Sequence, residues 1–244
     1  MFGGVDFALI WRSAPDLLHG LSVTLQLTVL TVLGGILLSV PLGILRASRY
    51  RIASAAIWAY TYFFRGTPML IQLYLIYFGL GQFAAIRDSF VWPVLSQAYW
   101  CCLLTFTLNT AAYTIEIVAG AIRNVPCADI ETAKALGMSR CTRLRRITLP
   151  VACRIVLPAY TNEVIFILQS SSLASIVTVL DLTGIARTII ARTFATYEFF
   201  ITIGLIYLAL TYLMLWGFNR LEKRWYRHLG QMPMAARDAE LALR

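Results

Sequence analysis

Charge is scarce in this chain. Asp, Glu, Lys and Arg make up 14% of its 244 residues, whereas a soluble domain carries about 25%. Lysine is nearly missing, with only Lys134 and Lys223, and histidine is limited to His19 and His228. No long polar linker divides the chain, no internal repeat is visible, and none of the five cysteines stands at CxxC spacing. Each shortage excludes something. So few charges could not cover the exterior of a soluble core this apolar. Two lysines outside any Gly-rich turn exclude a phosphate-cradling GxxxxGK[ST] loop. Without paired cysteines there is no zinc or thiol-redox signature, and Cys101, Cys102, Cys127, Cys141 and Cys153 read as small apolar fillers. Histidines confined to the flanks, with no nucleophile–base arrangement, argue against an intramembrane enzyme. An ion-coupled secondary carrier usually shows repeats, so that alternative is weakened, and a multi-copy channel is left as the other rival. The first 19 residues hold Asp6, Arg12 and Asp16 but no basic stretch ahead of an apolar one, so no cleavable signal is expected.

What the chain has is hydrophobicity: 59% of its residues are apolar and its mean hydropathy is +0.71. A bilayer accepts such side chains directly, and about 20 mostly apolar residues cross it as a helix. Five stretches qualify, at 21–45, 53–80, 99–121, 155–179 and 199–218. The second is interrupted by Arg65-Gly66-Thr67-Pro68. The expected fold is therefore an all-α membrane protein with five transmembrane helices in one domain (21–219). A segment at 1–20 precedes it and a tail at 220–244 follows. Phe7, Ile10, Trp11 and Leu18 suit either a short helix lying on the outer interface or an ordinary packing segment.

The formal charge of +9 would suggest nucleic acid in a soluble protein. Here sixteen of the twenty-one Lys and Arg fall in three regions, 46–52, 122–154 and beyond 219. Five spans put those three regions on one side and the other connections opposite. By the positive-inside rule the N-terminus is periplasmic and the C-terminus cytoplasmic. The basic residues thus belong to a membrane topology, and no nucleic-acid partner is expected.

The longest cytoplasmic connection contains Val125-Pro-Cys-Ala-Asp-Ile-Glu-Thr-Ala-Lys-Ala-Leu-Gly137. Pro126 suits a first helical turn, Asp129 and Glu131 suit the positive end of the helix dipole, and Gly137 suits a left-handed C-terminal stop. A short helix lying along the cytoplasmic face is predicted. Its Glu131, Ala133 and Gly137, followed by Ile147-Thr-Leu149-Pro150, keep a fixed spacing. This resembles the EAA loop of the membrane subunits of ATP-binding-cassette (ABC) importers, and it departs only at Thr132, where that family usually has Ala. Arg65-Gly66-Thr67-Pro68 with Leu70-Ile71-Gln72, Leu108-Asn109-Thr-Ala-Ala-Tyr113 with Glu116, and Asn162-Glu163 are similar to the polar amino-acid group of those importers. Within it the sequence looks most like the M-type permeases for histidine, for lysine/arginine/ornithine, and for octopine or nopaline.

The resemblance implies a type I importer permease fold with a coupling helix, and no cofactor on this chain. It also implies a second homologous permease subunit and two ATPase subunits that bind ATP and Mg. A periplasmic solute-binding protein and an amino-acid substrate, basic or an opine, complete the set. Carried over by position, Glu131, Ala133 and Gly137 would meet the ATPase.

Charge within a span is costly and marks candidate function. Arg65, Glu116 and Glu163 qualify. Thr105, Asn109 and Glu116 fall on one stripe of the third span; Glu163 and Ser170 share a stripe of the fourth, beside Asn162 and Gln169. Two polar stripes can line a pathway offering acceptors to an ammonium group and donors to a carboxylate. Two readings stand side by side for the charges: Arg65 balancing a glutamate inside the bundle, or the glutamates meeting substrate. Pro68 predicts a kink near Arg65 and Gly66, suited either to a gate or to a merely bent helix. Where the family often has Lys-Asp-Ser-Ser-Leu, this chain has Gln169-Ser170-Ser171-Ser172-Leu173. Either this subunit grips substrate less than its partner does, or its substrate is read differently.

Overall fold

A computed structural model describes residues 7–226, and among them there are helices and turns but no strand. Helix α1 (Phe7–Arg12) is short, and Ser13 separates it from α2 (Ala14–Arg46). Pro15 opens α2 in a position that needs no N–H, and Asp16 complements the dipole. At 33 residues α2 is about 50 Å long, longer than the ~30 Å hydrocarbon layer. The boundary expected at residue 20 is therefore not a structural break, because residues 14–20 are already the first turns of α2.

Helix α3 (Arg51–Gly66) is followed by two extended residues, Thr67 (φ −118°, ψ 142°) and Pro68 (φ −62°, ψ 134°), before α4 (Met69–Tyr74). Proline lacks the N–H and pushes the residue before it out of the helical region. The result is a full break rather than the predicted kink. Helix α4 runs on through a π turn (Leu75–Gly79) into a 3₁₀ turn (Leu80–Gln82). Short helices α5 (Ala84–Arg87) and α6 (Trp92–Leu95) lead to α7 (Ala98–Arg123), the most buried of the long helices.

The polar loop forms α8 (Cys127–Ala135) and then α9 (Arg140–Arg143), whose N-cap Ser139 accepts from Thr142 N. A π turn (Leu144–Thr148) continues into α10 (Leu149–Ser170) and a 3₁₀ turn (Ser171–Val177). The fourth span therefore starts earlier than residue 155. Asp181 caps α11 (Leu182–Thr193) through Thr183 N and Gly184 N, and α12 (Thr196–Tyr226) completes the described chain. The expected tail lies outside the described residues after Tyr226.

Among the described residues four helical stretches are long and apolar enough to cross a membrane: 14–46, 98–123, 140–177 and 196–225. The broken α3–α4 segment contributes the shorter apolar helix Met69–Gln82.

Three apolar clusters hold the bundle. Leu27, Leu73, Phe106, Ile167 and Val177 join α2, α4, α7 and the end of α10. Leu17, Leu182 and Phe199 join α2, α11 and α12. Ala121, Val125 and Ala152 seat the polar loop against α7 and α10. In lipid, helices associate through close packing of small residues, and α2 presents Thr24, Thr28, Thr31, Gly35, Ser39 and Gly43, all buried. A Cβ on Gly35 would lie 2.6 Å from Thr110 Cγ2, and one on Gly43 would lie 2.7 Å from Val118 Cγ1, so α2 and α7 meet at backbone distance. By contrast, Leu205, Leu208, Tyr212, Leu213 and Trp216 leave α12 bare along one side.

Candidate functional site

The break at Thr67–Pro68 frees carbonyls that a continuous helix would have bonded. Gln72, one turn into α4 and 3% exposed, repairs this. Its Nε2 donates to Phe64 O (2.8 Å), to Thr67 O (3.0 Å) and to Thr67 Oγ1 (2.6 Å). Its Oε1 accepts from Asn109 Nδ2 of α7 at 2.9 Å. Asn109, 2% exposed, thus clamps the broken helix, and its own Oδ1 is a buried acceptor without a partner.

Four residues further along, Tyr113 holds Arg65. The guanidinium carbon lies 5.3 Å from the ring centroid, within cation–π range. Phe166 of α10 packs beside Tyr113 with ring centroids 6.4 Å apart. Arg65, Phe166, Asn162 and Gln169 are exposed, so α3, α7 and α10 present one face that combines a cation, two rings and two amides. Ser170 is half-buried at its edge, and Gly66 and Pro68 are exposed beside Arg65.

Glu163 points the other way around α10. It is 7% exposed and accepts from Thr110 Oγ1 at 2.9 Å. Thr110 therefore serves two neighbours, with its methyl closed on Gly35 and its hydroxyl on Glu163.

Glu116 lies near the opposite end of α7 from Cys101. Its Oε1 accepts from Arg46 Nε at 2.9 Å and from Thr61 Oγ1 at 2.8 Å. Direct ion pairing of Arg65 with a glutamate, one of the two readings, is not seen among the described residues. Among the described residues Arg46 is the cation that pairs with Glu116, and Arg65 has an aromatic partner instead. The predicted α7 stripe does share a face, but Asn109 and Glu116 are held there by the broken helix and Arg46, separately from Glu163. Thr105 bonds Cys101 O within α7.

On the polar loop, α8 ends as its sequence dictates. Gly137 takes φ +75°, Gly137 N donates to Lys134 O (2.9 Å) and Met138 N donates to Ala133 O (3.1 Å), which closes a Schellman motif. Ala133, 2% exposed, is the buried residue of α8, and Ile130 packs against Ala121, Val125 and Ala152 at the base of α7 and α10. Glu131 and Gly137 face outward. So does Leu136, 73% exposed, which sequence reasoning missed. A leucine beside the terminal glycine of an otherwise polar helix was the available signal. A groove of about 380 Å³ runs alongside, lined by Asp129, Leu136, Met138 and Arg146 among others.

Among the described residues no group of three His, Cys, Asp or Glu side chains is placed to hold a metal.

Residues 39–227 match the family described as binding-protein-dependent transport system inner membrane component. The chain is 45% identical to the octopine transport system permease protein OccM of Rhizobium radiobacter, over 89% of both chains. It is 43% identical to the histidine/lysine/arginine/ornithine transport system permease protein HisM of Escherichia coli strain K12, over 86% of this chain and 89% of that one. Among solved structures, an amino acid ABC transporter crystallised with histidines superposes with a TM-score of 0.81 at 31% identity, covering 91% of this chain and all of the other. The methionine transporter MetNI in an inward-facing form shares the fold, with a TM-score of 0.69 at 19% identity over 90% of this chain.

Proposed function

Because this chain belongs to the family of binding-protein-dependent transport system inner membrane components, we propose that it is the permease subunit of an importer for basic amino acids or opines. As an ABC permease it is a transport component rather than a catalyst. The observation that carries the mechanism is helix α8. It is anchored inward by Ala133 and Ile130 and closed at Gly137, and it offers Glu131 and Leu136 to a partner. Partner ATPase subunits, two per complex and carrying ATP and Mg, dock on this helix. Their closure is passed to α7 and α10, on whose ends α8 rests.

In this reading α2, the α3–α4 pair, α7, α10 and α12 make five crossings, with the N-terminus periplasmic and α8 cytoplasmic. The charge distribution supports that orientation. A second, homologous permease subunit faces this one, and a periplasmic solute-binding protein delivers the amino acid. Substrate passes the face built by Arg65, Tyr113, Phe166, Asn162 and Gln169. Arg65 suits a carboxylate and the rings suit an aliphatic or cationic side chain. Ser170 borders that face, and Asn109 supports it through the clamp on Gln72. Glu163 supplies the buried carboxylate behind it, and Glu116 braces the bundle with Arg46. The break after Gly66 at Pro68 is where the face can open.

The test is co-purification followed by transport. A tagged chain should bring down an ATPase and a second membrane subunit, and the complex in vesicles should take up arginine, histidine or octopine with ATP and the binding protein. A chain that purifies alone, or uptake that proceeds without ATP, would overturn the proposal.

A further inference from the structure

A cavity of about 710 Å³ opens where α2 turns into α3, and Arg46, Ser48, Arg49, Arg51, Ser54 and Trp58 line it. No acidic side chain shares the lining. The charge of Arg46 is spent on Glu116, and its Nη1 donates to Ser54 Oγ at 2.9 Å. Arg49 and Arg51 are exposed and form no ion pair among the described residues. The cavity therefore carries two uncompensated guanidinium groups and two hydroxyls.

Trp58 and Ala55 add an apolar side to the lining; Trp58 is 50% exposed and its ring stacks on Tyr62 with centroids 5.1 Å apart, while Tyr50 and Ile52, flanking Arg51 in the chain, are 74% and 90% exposed. All of this sits at the end of α2, a helix of membrane length. Aromatic rings beside arginines at such a level match the headgroup layer. A soluble anion would satisfy the two arginines and leave Ile52 and Trp58 in water. A phospholipid satisfies both, with its phosphate on the guanidiniums and its glycerol and chains along the apolar side.

We propose that this cavity is a binding site for the phosphodiester headgroup of an anionic phospholipid of the inner leaflet, with Arg49 and Arg51 as its ligands. The proposal rests on the orientation given above, which places the α2–α3 turn on the cytoplasmic side. A bound lipid would fix the α2–α3 corner beside the Arg46–Glu116 pair, so lipid composition would bear on the bundle itself.

The experiment uses the assembled complex, reconstituted in phosphatidylcholine with a minority of phosphatidylglycerol, then released and weighed by native mass spectrometry. Wild type should retain phosphatidylglycerol. At roughly fivefold per arginine, Arg49→Gln/Arg51→Gln should lower that retention about 25-fold, while Arg49→Lys/Arg51→Lys keeps most of it. The single variants give the same reading should the double fail to assemble. Unchanged retention in the glutamine variants would overturn the proposal. So would displacement of the lipid by inorganic phosphate or soluble glycerophosphoglycerol at comparable concentration, which would make the cavity a soluble-anion site. A cysteine at position 50 that reacts with an impermeant maleimide from the periplasmic side would instead defeat the orientation, whatever the lipid result.

Discussion

Arg46 and Glu116 meet at 2.9 Å across seventy residues of sequence, and they tie the last turn of α2 to α7. Thr61 of α3 donates to the same carboxylate oxygen, so three helices share one charge pair. Both side chains are less than one-fifth exposed. Removing one partner strands a partly buried charge, at a cost of roughly 3 kcal/mol. Arg46→Gln and Glu116→Gln should each lower the thermal unfolding temperature of the purified complex, and the double variant should regain part of the loss. Strictly additive losses would show that the pair is not coupled.

Gln72 closes the break at Pro68 with three donated bonds and one accepted. Gln72→Leu leaves the carbonyls of Phe64 and Thr67 and the amide of Asn109 short of partners, for an expected loss of about 1–3 kcal/mol. Thr67→Val removes the two bonds of the hydroxyl, from Gln72 Nε2 and to Phe63 O, but leaves the bonds of Gln72 to both carbonyls and to Asn109, and should cost less. Thermal stability in detergent ranks the two, and equal losses would contradict the assigned role of Gln72.

Glu163→Gln keeps an oxygen that can accept from Thr110, so the complex should assemble with normal yield. If the carboxylate senses a cationic substrate, arginine uptake should fall about tenfold, with KM rising. Because Arg65 lies over the Tyr113 ring while Glu163 takes its hydrogen bond from Thr110, adding Arg65→Gln should not restore transport. Full recovery in that double variant would reduce Glu163 to a counter-ion.

Glu131→Arg should uncouple ATP hydrolysis from uptake while the subunit stays in the membrane, since the side chain faces away from the bundle. Gly137→Trp should do the same, with an added conformational penalty of about 1–2 kcal/mol because φ is +75° there. Simultaneous ATPase and uptake assays on vesicles decide it, and wild-type coupling in both variants would remove α8 from the ATPase contact.

Single cysteines report the topology in a cysteine-free background. Phe90 and Phe194 are 93% and 86% exposed, and cysteines placed there should react with an impermeant maleimide added outside. A cysteine at Arg140 should react only after permeabilisation. Outside labelling at 140 would refute the five-crossing arrangement.

Local features were the legible ones. The extent of α8 follows from Pro126 and Gly137, because caps act within a turn of the residue that makes them. The interruption at Pro68 was equally readable, since proline acts on its own backbone and on that of its neighbour. What could not be read was which neighbour each polar face meets. Periodicity put Asn109 and Glu116 on one stripe, but their partners are Gln72 and Arg46, fixed by how α3, α4 and α2 lie against α7. Charge alone leaves open whether Arg65 meets a glutamate. Tyr113 was quoted within a motif yet carried no signal that its ring would take that role. Glu163 showed its cost in the membrane but not its bond to Thr110, which needs α10 laid across α7.

The glycines of α2 have a mechanical meaning. Thr110 and Val118 fit against Gly35 and Gly43 as teeth into notches, eight residues apart on both helices. Sliding one helix by a single residue, about 1.5 Å, would drive those methyl groups into backbone. The Arg46–Glu116 pair locks one end of this rack, while Thr24, which accepts from Leu182 N at 3.0 Å, ties the other end of α2 to α11. The interlock therefore resists sliding of α2 past α7. In the proposed transport cycle a push from α8 at the foot of α7 would carry α2 with it, and Thr67–Pro68, where the backbone is already cut, is a place that can give.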